Sequence, residues 1–157
     1  MIKHEYCHEY YIDEEDKVTK IKIIIDYQVK SFKGLFYDCK CIESINFKKF
    51  YKNNITDMSH MFFGCSSLKK LNLTNFNTNN VTNMNSMFFG CSSLKELNIT
   101  NFFINNNAKM GYMFDGCSSL KELNLSNFNT NNVIKIGMFQ MEKILLVCSI
   151  IVHHYLI

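Results

Sequence analysis

The chain has 157 residues, 47% hydrophobic and 20% charged, and its 17 basic residues against 14 acidic ones give a formal net charge of +3. That is one domain's worth of chain, too apolar and too weakly charged for intrinsic disorder, with too little continuous apolar sequence for a multi-span membrane protein. Every basic residue is Lys, and a near-neutral chain without Arg, the usual residue for bidentate phosphate and guanine recognition, is not expected to bind nucleic acid.

Residues 1–20 read as a polar N-terminal segment. Met1-Ile2-Lys3-His4-Glu5-Tyr6 lacks the basic start and apolar run of a secretory signal peptide, and the acidic run Asp13-Glu14-Glu15-Asp16 follows, so no export signal is expected. Ile21, Ile23, Ile24 and Ile25 are expected to form the first strands, with the acidic run shielding that end.

Next comes a repeat. Met61-Phe62-Phe63-Gly64-Cys65-Ser66-Ser67-Leu68-Lys69 recurs as Met87 to Lys95 and, with Asp115 replacing one Phe, as Met113 to Lys121, a period of 26 residues. One period earlier, Leu35-Phe36-Tyr37-Asp38-Cys39-Lys40-Cys41-Ile42 is a degenerate copy. Four apolar columns emerge: Ile42/Leu68/Leu94/Leu120, Ile45/Leu71/Leu97/Leu123, Phe47/Leu73/Ile99/Leu125 and Phe50/Phe76/Phe102/Phe128. Asn72, Asn98 and Asn124 stand between the second and third, an alternation of period two that predicts one short strand per copy.

The other half of each copy changes period. Val81, Met84, Met87, Phe88 and Cys91 follow one face of a short helical or irregular segment. Asn79, Asn80 or Thr82 offers N-cap chemistry, and Gly64, Gly90 and Gly116, with Asp38 in the degenerate copy, fit a left-handed residue at its end. A unit this short cannot bury both halves alone, so copies must stack into a continuous core. The expected fold is a repeat solenoid over residues 21–141, about four to five turns, with one short parallel β-strand per 26-residue turn and a short helical or irregular opposite side.

The array then degrades. Asn107 occupies the apolar column of Val81 and Val133, Phe103-Ile104 replace Asn77-Thr78, and the last copy lacks its Gly-Cys. Residues 142–157 form an apolar tail whose core, Ile144 to Ile157, is too short to span a membrane as a helix. If Leu145, Cys148 and Ile150 continue the strand phase, the tail is a last strand with a bare edge, which invites self-association of an otherwise monomeric chain.

The run from Leu68-Lys69-Lys70-Leu71-Asn72-Leu73 through Val81-Thr82-Asn83-Met84 to Met87-Phe88-Phe89-Gly90-Cys91-Ser92-Ser93 resembles the BspA-like surface-protein branch of the leucine-rich repeats. The resemblance covers about Val29 to Phe139. It implies a leucine-rich-repeat-like solenoid, a cell-surface location and binding of host or matrix proteins, and it brings no catalytic residues. Members usually carry more copies and an export signal.

No Cys-His or Ser-His-Asp constellation and no Gly-rich phosphate loop stands out, so an enzyme is not expected. His4-x-x-Cys7-His8 and Cys39-x-Cys41 lack the second knuckle of a structural zinc site, and no cofactor or metal is expected. Of seven Cys, Cys39, Cys65, Cys91 and Cys117 share one column. In-register side chains run parallel, which suits a disulfide torsion badly, so a ladder of buried free thiols is expected. The sequons at Asn54, Asn72, Asn80, Asn98 and Asn124 are repeat by-products, and the column of Asn72, Asn98 and Asn124 is expected to ladder its amides along the stack. Lys69, Lys95 and Lys121, beside Lys70, Glu96 and Glu122, read most simply as a solvated face.

The functional expectation is a non-catalytic scaffold for protein–protein or cell-surface ligand binding, adhesin-like. The candidate face comprises Asn72, Thr74, Glu96, Asn98, Thr100, Glu122, Asn124 and Ser126. The alternative is a structural fragment of a longer repeat protein with no independent activity.

Overall fold

The structure is a computed structural model that describes residues 29–47, 54–104, 107–125 and 145–147. The expectations for the N-terminal segment, for Ile21 to Ile25, for Phe50, Ser126 and Phe128, and for most of the tail lie outside the described residues. The described strands are β1 (Ser44–Asn46), β2 (Lys70–Asn72), β3 (Glu96–Asn98), β4 (Glu122–Asn124) and β5 (Leu145–Val147). β1, β2 and β3 form one parallel sheet and β4 and β5 a second.

The period-two pattern explains why the strands form where they do. Leu71 and Leu123 point inward and are buried while their neighbours Lys70, Asn72, Glu122 and Asn124 are exposed. Pairing keeps the 26-residue period: Ile45 stands opposite Leu71, and Leu71 opposite Leu97. A register held at this spacing puts like residues on like, so each apolar column becomes a continuous stripe of core. Leu68, Leu73, Phe76, Leu94, Ile99, Phe102, Leu120 and Leu125 fill it.

The opposite side holds series of turns, with no helix among the described residues. The inward face is as expected, since Val81, Met84, Met87, Phe88 and Cys91 are all fully buried. The helical form is not, and two features exclude it. Alternate amides leave the segment for the next copy: Met58, His60, Phe62 and Gly64 donate to the carbonyls of Asn83, Asn85, Met87 and Phe89 at 2.8 to 2.9 Å. Those between them, on Met61, Phe63 and Cys65, close tight turns on Met58, His60 and Phe62. No run of amides is left for the i to i−4 ladder of an α-helix. His60, Ser86 and Tyr112 also take left-handed backbone, with φ of 56°, 53° and 57°, which no right-handed helix contains. The anticipated N-caps accordingly have other work. Thr82 Oγ1 donates to the Thr56 carbonyl at 3.2 Å, and the backbone amide of Asn79 donates to Asn77 Oδ1 at 3.0 Å.

Aromatic and hydroxyl side chains repeat the register. Phe36, Phe62, Phe88 and Phe114 stack face to face with centroids 5.4, 5.6 and 5.5 Å apart, and Tyr37, Phe63 and Phe89 form a second stack at 4.8 Å. Ser92 and Ser118 donate to the carbonyls of Ser66 and Ser92, each one copy back. A second line of parallel bridges, Ser31 to Asp57 to Asn83 to Lys109, runs along the turn side.

Two irregularities fall where the repeat degrades. In the third copy Asn107 is exposed and the next residue, Ala108, is buried, while Asn83 still bridges Lys109 at the 26-residue spacing. Between β3 and β4 the strand ladder is interrupted, although the turn side continues, with Ser86, Phe88 and Gly90 donating to Gly111, Met113 and Asp115. The two ladders that β2 makes each have an ion pair across them, Lys69 to Glu43 at 2.8 Å and Lys70 to Glu96 at 2.7 Å. At the interruption the column that pairs Lys70 with Glu96 places Glu96 before Glu122, and like charges on neighbouring strands oppose pairing. β5 then pairs with β4 with Leu146 opposite Leu123. Leu146, not Cys148, occupies that register, because the preceding copy lacks its Gly-Cys.

Candidate binding face

Side chains that leave the strands on the side away from the core form the candidate face. Asn72, Glu96, Asn98, Thr100, Glu122 and Asn124 are exposed and Thr74 is half-buried. Parallel pairing brings Asn72 beside Asn98, and Lys70 beside Glu96. Glu122 and Asn124 lie on β4, across the interruption, and are not laddered to β3. Ser126 lies outside the described residues.

Asn72 and Asn98 do not ladder their amide oxygens. Asn72 Oδ1 accepts from the Thr74 amide at 3.0 Å and from Thr74 Oγ1 at 2.8 Å, and Asn98 Oδ1 accepts from Thr100 in the same way at 3.2 and 2.9 Å. Two donors within the same copy compete with the neighbour for that oxygen and win, because they need no long-range closure. The contacts that run between copies come instead from Asn75 and Asn101, whose amide nitrogens donate to the carbonyls of Phe47 and Thr74 at 3.5 and 2.8 Å. Their recurrence at one repeat position was available in the sequence and marks them as latches beside the face.

A further latch has no such signal. Thr78, fully buried, donates its hydroxyl to the Phe103 carbonyl at 2.8 Å and accepts the Phe103 amide at 2.9 Å. The side chain of Phe103 itself turns outward and is exposed, as are Tyr37 and Tyr112. The ion pairs at Lys69 and Lys70 are solvated and contribute at most about 1 kcal/mol each.

The cysteine column is a ladder of thiols, each held by the copy before it. Cys65, Cys91 and Cys117 donate to the carbonyls of Phe36, Phe62 and Phe88 at 3.0, 3.1 and 3.1 Å. Burial, the largest cause, pushes the Cys65 and Cys117 thiols up to about 12 and raises Cys91 further. Among the described residues no three His, Cys, Asp or Glu side chains gather as metal ligands. Nor is any helix there long and apolar enough to cross a membrane.

Leucine-rich copies hydrogen-bonded to one another one period apart, strand on strand and turn on turn, define a repeat protein with a parallel sheet. Residues 30–145 match the family described as Mycoplasma protein of unknown function, DUF285, and the chain belongs to that family. It is also similar to a leucine-rich repeat protein from Bacteroides ovatus, with 28% identity and a TM-score of 0.44 over 66% of this chain and 24% of the other. The chain thus spans about a quarter of that protein's length. Among curated proteins none matches.

Proposed function

We propose that the chain is a leucine-rich-repeat-like solenoid of the BspA-like kind, a non-catalytic scaffold that binds a protein or another cell-surface ligand through the outward side chains of its strands. The observation that carries this reading is the register. Because Lys70 faces Glu96 and Asn72 faces Asn98, polar side chains recur at strand spacing over an extended surface, the kind of surface repeat scaffolds use. Thr74 and Thr100 tie down the Asn72 and Asn98 amide oxygens, which lowers the ordering cost a partner must overcome.

The test compares retention of the full chain with that of the Glu96→Ala/Asn98→Ala variant on intact cells and on immobilised matrix protein. Binding weaker by about tenfold or more, with the cooperative circular-dichroism melt retained, is the expected result. Equal retention of the two proteins contradicts the assignment of this face.

A second reading, a structural piece of a longer repeat array without activity of its own, draws on the strand edges. β1 has a strand partner on one side among the described residues, and an open edge of that kind is a template for more chain. Size-exclusion chromatography separates the two readings: a folded monomer supports the independent binding module, and aggregation supports the piece.

A further inference from the structure

The described thiols are of two kinds. Cys65, Cys91 and Cys117 are buried and each is bound to a carbonyl of the preceding copy. The first described copy differs in sequence at this point, reading Asp38-Cys39-Lys40-Cys41 where the others have Gly-Cys-Ser-Ser. Cys41 is exposed and Cys39 half-buried, and Cys39 Sγ has a long 3.9 Å contact to the Tyr37 carbonyl. Lys40 and Cys41 lie in a turn. In a turn, α-carbons two residues apart are about 5–6 Å from one another, inside the range a disulfide bridges. Burial first, then Cys41 and Asp38, raises the Cys39 thiol, which makes the exposed Cys41 the attacking sulfur and Cys39 the resolving one. The parallel-ladder geometry that disfavours a bridge between copies does not apply within this turn.

We propose that Cys39 and Cys41 form a reversible redox site that exchanges with low-molecular-weight disulfides. The exposed Cys41, as thiolate, attacks one sulfur of the small disulfide. That S–S bond breaks, a mixed disulfide forms on Cys41, and the first small thiolate leaves and takes up a proton. Cys39, as thiolate, then attacks the Cys41 sulfur, forming the Cys39–Cys41 bond and releasing the second small thiol. Two protein thiols are oxidised and one small disulfide is reduced to two thiols, and an excess of small thiol runs the sequence backwards. The buried thiols stay out of this chemistry because a disulfide reagent does not reach them.

The test uses the full chain carrying Cys7→Ser and Cys148→Ser, reduced and then incubated with oxidised glutathione, with remaining thiols alkylated and located by peptide mass mapping. The expected product is monomeric, its peptide containing Cys39 and Cys41 is unalkylated and lighter by two hydrogen atoms, and dithiothreitol reverses the change. Cys65, Cys91 and Cys117 are recovered as thiols. Adding Cys39→Ser leaves glutathione attached at Cys41, since nothing resolves the mixed disulfide. Alkylation of both Cys39 and Cys41, a stable glutathione adduct on Cys41 with Cys39 intact, or dimers linked through Cys41 each overturn the proposal.

Discussion

Cys65 and Cys117 show what a buried column does to a single titratable group. Their thiols ionise at about 12 in the fold against an ordinary value of 9.0. Between pH 9 and 12 the unfolded chain has released protons that the native one retains, so their contribution to stability is complete below 9 and is lost as pH rises across that window. Urea unfolding across it is expected to show a smaller loss of stability in Cys65→Ala/Cys117→Ala than in the parent; equal losses contradict burial as the cause. Ser59 is the converse case, a buried hydroxyl with no hydrogen-bond partner among the described residues. Ser59→Ala is expected to be neutral or stabilising by about 1 kcal/mol, because it removes an unmet desolvation cost. Gly90 and Gly116 both hold left-handed backbone, but a Cβ on Gly116 meets Gly90 Cα at 3.1 Å while one on Gly90 meets Gly64 Cα at 3.7 Å. Gly116→Ala should therefore cost more than the roughly 1–2 kcal/mol of backbone strain that Gly90→Ala incurs, read from chemical denaturation midpoints. This Gly column was legible in the sequence because Gly recurs in it. Its companion four residues earlier offered a single signal, Gly34, since His60, Ser86 and Tyr112 carry side chains at the same left-handed position.

At the scale of elements, the strands were legible and the turns were legible only in part. Strand side chains alternate with period two, and Leu71 and Leu73 are buried as that pattern requires. The opposite segment presents the same buried residues whether it is a helix or a chain of turns, so its inward face could be read but its form could not. The form is decided by where alternate amides go, and the partners at Asn83, Asn85, Met87 and Phe89 belong to the next copy. The break between β3 and β4 follows from charge. Ion pairs span both ladders that β2 makes, whereas Glu96 precedes Glu122 here. Glu122→Lys is expected to raise stability by about 0.2–1 kcal/mol by replacing a like-charge neighbour of Glu96 with an attractive one, with slower hydrogen exchange at Leu97 and Leu123. An unchanged exchange rate at both would separate the break from the charges. The Asn column was misread at this same scale, because an Asx turn with Thr74 or Thr100 is closer at hand than a neighbouring strand.

Over the whole molecule, one period unites strand pairing, aromatic stacks, thiol contacts and hydroxyl latches. Phe88 lies inside the longest stack, between Phe62 and Phe114. Phe88→Ala should cost about 3–5 kcal/mol, since the void left between two copies cannot collapse without breaking register. The central claim is that 26 residues are one stackable unit. Removing residues 69–94 takes out one whole unit and joins Leu68 to Lys95, its own column neighbour. Removing only residues 69–81 deletes a strand and leaves its turn side behind. The measurement is the thermal melt of these two deletion variants by far-UV circular dichroism. A stackable 26-residue unit gives a cooperative, lower-melting transition for the larger deletion and loss of cooperativity for the smaller one. A smaller deletion that melts as cooperatively as the larger would contradict that claim.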